Sequence, residues 1–139
     1  FLIDFFQGPW EFTGDPNDEA YNVRGPIMGI DTIKGAKNLP LTSFVEYMNG
    51  VVGQQDPSTK EEARNYLMGK NQKGDVIDPC NWLFGAVLGG VDCSTIDGHY
   101  MYSGDPVTLT GWINTAPVDQ RQMSNTGPFK LIKDQPVDI

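Results

Sequence analysis

Tyr100–Ile139, YMYSGDPVTLTGWINTAPVDQRQMSNTGPFKLIKDQPVDI, decides the fold class of this chain. Apolar and polar residues alternate along it, and Gly104-Asp105-Pro106 and Thr126-Gly127-Pro128 interrupt the alternation. A period of two is the pattern of a half-buried strand, and Gly, Pro and Asp clusters mark turns. The stretch therefore predicts short strands at His99–Met101, Val107–Trp112 and Phe129–Ile132. Gln135–Ile139 reads as one more strand entering a sheet, so the chain is expected to be a piece of a longer protein.

Working outward, Phe1–Phe6 is a short apolar run that ends at Gly8-Pro9. Ile27–Ile33 reads as a strand with Gly29 as a bulge, and Leu41–Met48 as a strand because Thr, Phe, Val and Tyr favour pleated backbone. One helix is signalled. Ser58-Thr-Lys-Glu61 has the form of a capping box, Ala63, Tyr66 and Leu67 share a face, and Gly69 stands where a left-handed cap belongs. The expected architecture is mainly β. It is a single antiparallel β-sandwich-like domain spanning residues 1–139, with one short amphipathic α-helix at about residues 59–68.

Composition agrees. The 139 residues include 16 Gly and 10 Pro, which suits a turn-rich β protein. Three Trp, seven Phe and five Tyr supply enough bulky apolar surface to exclude disorder. A net charge of −8 argues against a nucleic-acid groove and against attraction to an anionic membrane, since both need a cationic face. No apolar run is long enough to span a bilayer. Cys80 and Cys93 read either as a disulfide in an exported protein, worth about 3 kcal/mol by loop entropy, or as two buried thiols.

Residues that carry chemistry are sparse. His99 is the one imidazole, so a catalytic triad has a single possible centre, and a structural or exposed role fits it better. Two Cys and one His at this spacing do not make a zinc site. Asp15, Asp18 and Glu19 cluster in one acidic turn, a candidate Ca²⁺ site that lacks the residue order of a dedicated calcium loop. Asp75 and Asp78 flank another turn. No glycine loop for phosphate is present. Trp10, Trp82 and Trp112 would stack on sugar rings if exposed and belong to a core if not. Between the cysteines, Trp82–Gly90 is apolar and glycine-rich, a tip either tucked under the domain or presented to a partner.

Several short motifs together resemble a known pattern. They are Gly29-Ile-Asp31, Ser43-Phe44, Asn65-Tyr-Leu-Met-Gly69, Tyr102-Ser-Gly-Asp-Pro106, Thr110-Gly-Trp112, Pro117-Val-Asp-Gln-Arg121 and Thr126-Gly-Pro-Phe129. Their succession resembles a recurrent β-rich region of large secreted surface proteins of Bacteroidetes-type bacteria, which leave by the type IX secretion route. Two departures stand out. The family's Gly-Thr-Gly-Trp appears here as Thr108-Leu-Thr-Gly-Trp112, and the Cys80–Cys93 segment is longer. The resemblance implies export and an extracellular or cell-surface setting, and it brings no catalytic residues.

The expected function is therefore a non-catalytic structural or adhesive module of a secreted cell-surface protein. Its partners would be other domains of the same chain or other surface proteins, and no cofactor is expected. The binding surface is placed on Trp82, Leu83, Phe84 and Leu88. Two alternatives stand beside it. One is an accessory domain of a secreted hydrolase, carbohydrate-binding through Trp10 or Trp112. The other is a subunit of a repeating extracellular assembly such as a filament or virion.

Overall fold

The computed structural model describes residues 8–23, 29–116 and 118–134. The strands expected at Phe1–Phe6 and Gln135–Ile139, and the first residues of the one at Ile27–Ile33, lie outside them. Among the described residues the chain is mainly β with one α-helix. It divides into two compact units: one formed by residues up to Thr42 and from Thr126 onward, the other by Ser43–Asn125.

The first unit contains β1 (Trp10–Phe12), β2 (Glu19–Val23), β3 (Ile30–Lys34) and β4 (Ala36–Asn38). β1 pairs antiparallel with β4, and β2 with β3, in a register that sets Glu19 opposite Lys34 and Val23 opposite Ile30. Gly35, at φ 72°, supplies the left-handed turn between β3 and β4. One side chain extends the ladder. Asn38 accepts the Tyr21 N–H at 2.7 Å and donates to the Tyr21 carbonyl at 2.9 Å, so its amide stands in for a peptide on the edge of β2. The strands turn Ala20, Asn22 and Ala36 inward. The segment Phe129–Ile132, expected as a strand, joins no ladder. Leu131 is 72% exposed, so no buried face holds it in pleated form.

β5 (Leu41–Tyr47) leads into the second unit, which adds α1 (Lys60–Leu67), β6 (Gly85–Leu88), β7 (Gly111–Asn114) and β8 (Arg121–Thr126). β5 pairs with β8, and β6 pairs antiparallel with β7. The strand expected at His99–Met101 shrinks to a single parallel bridge between Tyr100 and Phe44. The one expected at Val107–Trp112 begins only at Gly111. The Asp105 carboxylate accepts the Val107 N–H and the Thr108 hydroxyl, both at 2.8 Å, and so curls residues 105–110 into a loop.

The helix starts one residue later than the capping pattern suggests. Thr59 is the N-cap and Glu62 its reciprocal partner, with Ser58 bonded to the same carboxylate. Both registers satisfy local chemistry in Ser-Thr-Lys-Glu-Glu. The observed one carries Tyr66 into the core at 0% exposure and leaves Leu67, expected on the buried face, 54% exposed. Gly69 caps the helix at φ 72°, and a Cβ there would lie 2.6 Å from the Ser43 Cβ, so both conformation and space demand glycine.

The core of the second unit is Val45, Tyr66, Ile77, Met101 and Trp112, with Tyr47, Trp82 and Val87 packed against it. Each large side chain buried there contributes about 1.5–3 kcal/mol. Tyr47 stacks on Tyr66 at 5.0 Å, and the Tyr66 hydroxyl donates to the Gln55 carbonyl at 2.6 Å. Trp112 is 0% exposed, which removes it as a platform for sugars. Cys80 and Cys93 form a disulfide that closes a short loop.

Candidate functional site

Three turns of the second unit frame one cleft. The first runs through Val52-Gly53-Gln54, where the Gln54 carbonyl accepts the Met48 N–H at 2.8 Å and the Gly53 carbonyl accepts the Gln72 N–H at 3.0 Å. The second is Asn71–Asp75. Asn71 Oδ1 accepts the N–H groups of Lys73 and Asp75, both at 2.9 Å, and Asn65 Nδ2 donates to the Gln72 carbonyl. The third is Asp78–Trp82. Asp78 accepts the Cys80 N–H at 2.9 Å on one oxygen and Asn81 Nδ2 at 2.6 Å on the other. These bonds, the Asn81 amide foremost and the Cys80 N–H next, hold the Asp78 carboxyl below the usual carboxylate range, so it is anionic at neutral pH. The disulfide anchors this turn at its central residue, Cys80.

Trp82 closes the cleft. Its Nε1–H donates to the Tyr102 hydroxyl at 2.8 Å, and its ring lies 5.9 Å from Phe84. Tyr102 itself sits at φ 54°, a left-handed conformation that costs a tyrosine about 1–2 kcal/mol. Its ring packs on Trp112 at 5.5 Å. A residue held in that conformation while it fixes the neighbouring indole is the kind of local strain that recurs at binding sites.

The resulting cleft holds about 300 Å³ and is lined by Val52, Gly53, Gln54, Asn71, Lys73, Asp75, Val76, Ile77, Asp78, Asn81 and Trp82. That is the low end of the range for small-molecule sites, about 300–1,000 Å³. Val52 and Val76 are exposed apolar walls. Gln54 is 1% exposed. Its Nε2 donates to the Glu46 carbonyl at 2.7 Å, while its Oε1 has no donor. A buried amide oxygen without a partner is costly, by about 1–3 kcal/mol.

The four residues expected to bind are distributed as follows. Trp82 lines the cleft, Leu83 is 84% exposed beside it, and Phe84 and Leu88 are half-buried, Leu88 within β6. The apolar segment is thus part strand and part exposed turn. The remaining cleft residues did not stand out in the sequence. The one signal was the turn flanked by Asp75 and Asp78, and polar turn residues next to a tryptophan also fit a solvated loop.

Elsewhere, the acidic turn is engaged with its neighbours. Asp15 accepts the Asn17 N–H at 2.9 Å, Asp18 takes the Thr13 hydroxyl at 2.6 Å and Lys37 at 2.9 Å, and Glu19 pairs with Lys34. Among the described residues no three potential ligands gather as a metal site. His99 Nδ1 lies 2.6 Å from Asp97 Oδ1. The same carboxylate, which accepts the His99 N–H, is held below its usual range chiefly by that backbone bond. Ser43 is 2% exposed and receives a hydrogen bond from Asn125 Nδ2 at 2.9 Å. No helix among the described residues is long and apolar enough to cross a membrane.

No protein-family model, curated protein or solved structure matches this chain.

Proposed function

We propose that this chain is a non-catalytic adhesive module of an exported cell-surface protein, with its contact face on the second unit. The observation that carries the reading is a cleft whose walls hold one another in place. Asp78, Asn71 and Trp82 are each fixed by hydrogen bonds of 2.6–2.9 Å. Preformed walls lose little entropy on docking, which is what a binding module needs. The Cys80–Cys93 bridge supports an oxidising, extracellular setting, because structural disulfides persist there and are reduced in the cytosol. The type IX resemblance points to the same location. Partners in this reading are surface proteins or other domains of the parent chain.

A second reading, an accessory carbohydrate-binding domain of a secreted hydrolase, is favoured by the tryptophan beside planar polar side chains in the cleft. It rests on Trp82 instead of the buried Trp112.

Antibody against the second unit should label intact cells that carry the parent protein. Protein taken from those cells and alkylated without reductant should bear no label on Cys80 or Cys93. Labelling only after permeabilisation, or alkylation of both cysteines, would remove the export reading.

A further inference from the structure

We infer that the cleft beside Trp82 is a subsite for a neutral pyranose ring of a glycan. This rests on the carbohydrate-binding reading and narrows its ligand to an uncharged ring.

A pyranose presents an apolar C–H face and a belt of adjacent hydroxyls, each both donor and acceptor. Its receptor needs a flat apolar surface next to planar side chains with spare donors and acceptors. Trp82 supplies the surface, pinned through Nε1 to Tyr102 at 2.8 Å. Asp78 and Asn81 stand next to it, joined at 2.6 Å, and between them retain both lone-pair and N–H capacity. Asp75 adds a second carboxylate and Lys73 an ammonium on the facing turn. Gln54, 1% exposed, forms part of the polar lining behind these groups.

The charge balance separates ligand classes. Two carboxylates repel an anionic sugar or a phosphate. An organic cation prefers several aromatic rings around it. Here one indole stands among the cleft residues, with Lys73 also on the wall. A neutral polyol fits the mixture of donors and acceptors best.

The test is a titration of the ¹⁵N-labelled full chain with neutral oligosaccharides of glucose, mannose, galactose and N-acetylglucosamine. Tetramethylammonium and glucuronate serve as the cationic and anionic arms. At least one neutral oligosaccharide should shift the Trp82 indole N–H and the amides of Asp75–Asn81. Asp78→Ala and Asn81→Ala should each weaken it about tenfold; because the two side chains also brace their turn, the amides outside Asp78–Trp82 must keep their shifts in each variant. Tyr102→Phe, which frees the indole without touching the sugar, should weaken binding several-fold with an unchanged amide spectrum elsewhere.

Three outcomes would overturn the proposal: no shift with any neutral sugar, stronger binding of tetramethylammonium or glucuronate, or shifts centred on Leu83 in place of the Trp82 indole. All three leave the export reading standing, because that reading is judged by cell labelling and cysteine alkylation.

Discussion

In the second unit Trp112, Tyr66, Met48 and Met101 are all 2% exposed or less, whereas the fully buried hydrophobic residues of the first, among those described, are Ala20 and Ala36. Among the first unit's described residues Phe12 is 61% and Ile30 65% exposed. Among these same residues, hydrogen bonds and ion pairs join the strands: the Asn38 amide on Tyr21, Lys37 on Asp18 and Lys34 on Glu19. Exposed ion pairs contribute little to stability, whereas large buried side chains contribute several kcal/mol each when lost. The contrast explains where the cleft lies. Its groups need fixed positions, and a packed aromatic core with a covalent bridge fixes positions better than paired ribbons do.

The largest expected effect is on the core. Trp112→Ala should destabilise the second unit by about 3–5 kcal/mol, measured by denaturant unfolding followed at α1 or β6 amides. If β2 and β3 amides lose their dispersion at the same denaturant concentration, the two units unfold as one and the contrast between them is weaker than drawn. Next comes the bridge. Reducing Cys80–Cys93, 13 residues apart, should cost the same unit about 3 kcal/mol by loop entropy. Hydrogen exchange should quicken near Asp78–Asn81 and stay unchanged at Tyr21.

Asn38→Ala probes the other unit. It removes the partner of the Tyr21 N–H and carbonyl at once, at an exposed site where water can replace it, and should cost about 0.5–1.5 kcal/mol with faster exchange of the Tyr21 amide. Exchange no faster than in the parent would mean that the side-chain ladder is not what joins these strands.

The smallest effect concerns Glu46. It is 5% exposed, with Gln122 Nε2 on one carboxylate oxygen at 3.1 Å and no partner on the other. Burial pushes its carboxyl above the usual range, partly offset by the Gln122 bond. The folded state therefore binds this proton more tightly than the unfolded chain. Stability from this group is full below the unfolded carboxylate range and declines as pH rises through the folded value. Glu46→Gln should flatten that decline, seen as a smaller loss of melting temperature between pH 4 and pH 7 (two pH values chosen for the experiment). An unchanged slope would assign the pH dependence to other groups.

Residues of the same type met different fates, and that is where the sequence fell short. β8 is Arg-Gln-Met-Ser-Asn-Thr, a polar segment with weak strand preference, and it pleats because β5 offers a partner. Asn125 within it is buried because its amide finds Ser43 Oγ and the Tyr66 carbonyl. Phe129–Ile132 looked more like a strand and joins none. Trp82 and Trp112 are alike in sequence context, both next to glycine or aliphatic residues. Yet one lines a cleft and the other is sealed, because β7 buries Trp112 and Ile113 on opposite faces while Trp82 stands in a turn. Alternation patterns report one buried face and are silent where both are covered.

Local chemistry was written in the chain itself. Turn residues, the capping serine and threonine, Gly69 as a helix stop and an even pair of cysteines each act within a few residues or through a bond with only one possible partner. The mainly β class and the helix followed from them, and the bridge was one of the two states the cysteine pair allowed. Tertiary structure alone settled the helix register, the pairing of β5 with β8 and the gathering of Gln54, Asp78 and Trp82 around one cleft. Those depend on contacts between residues far apart in sequence, whose energies arise only after the chain has closed its loops.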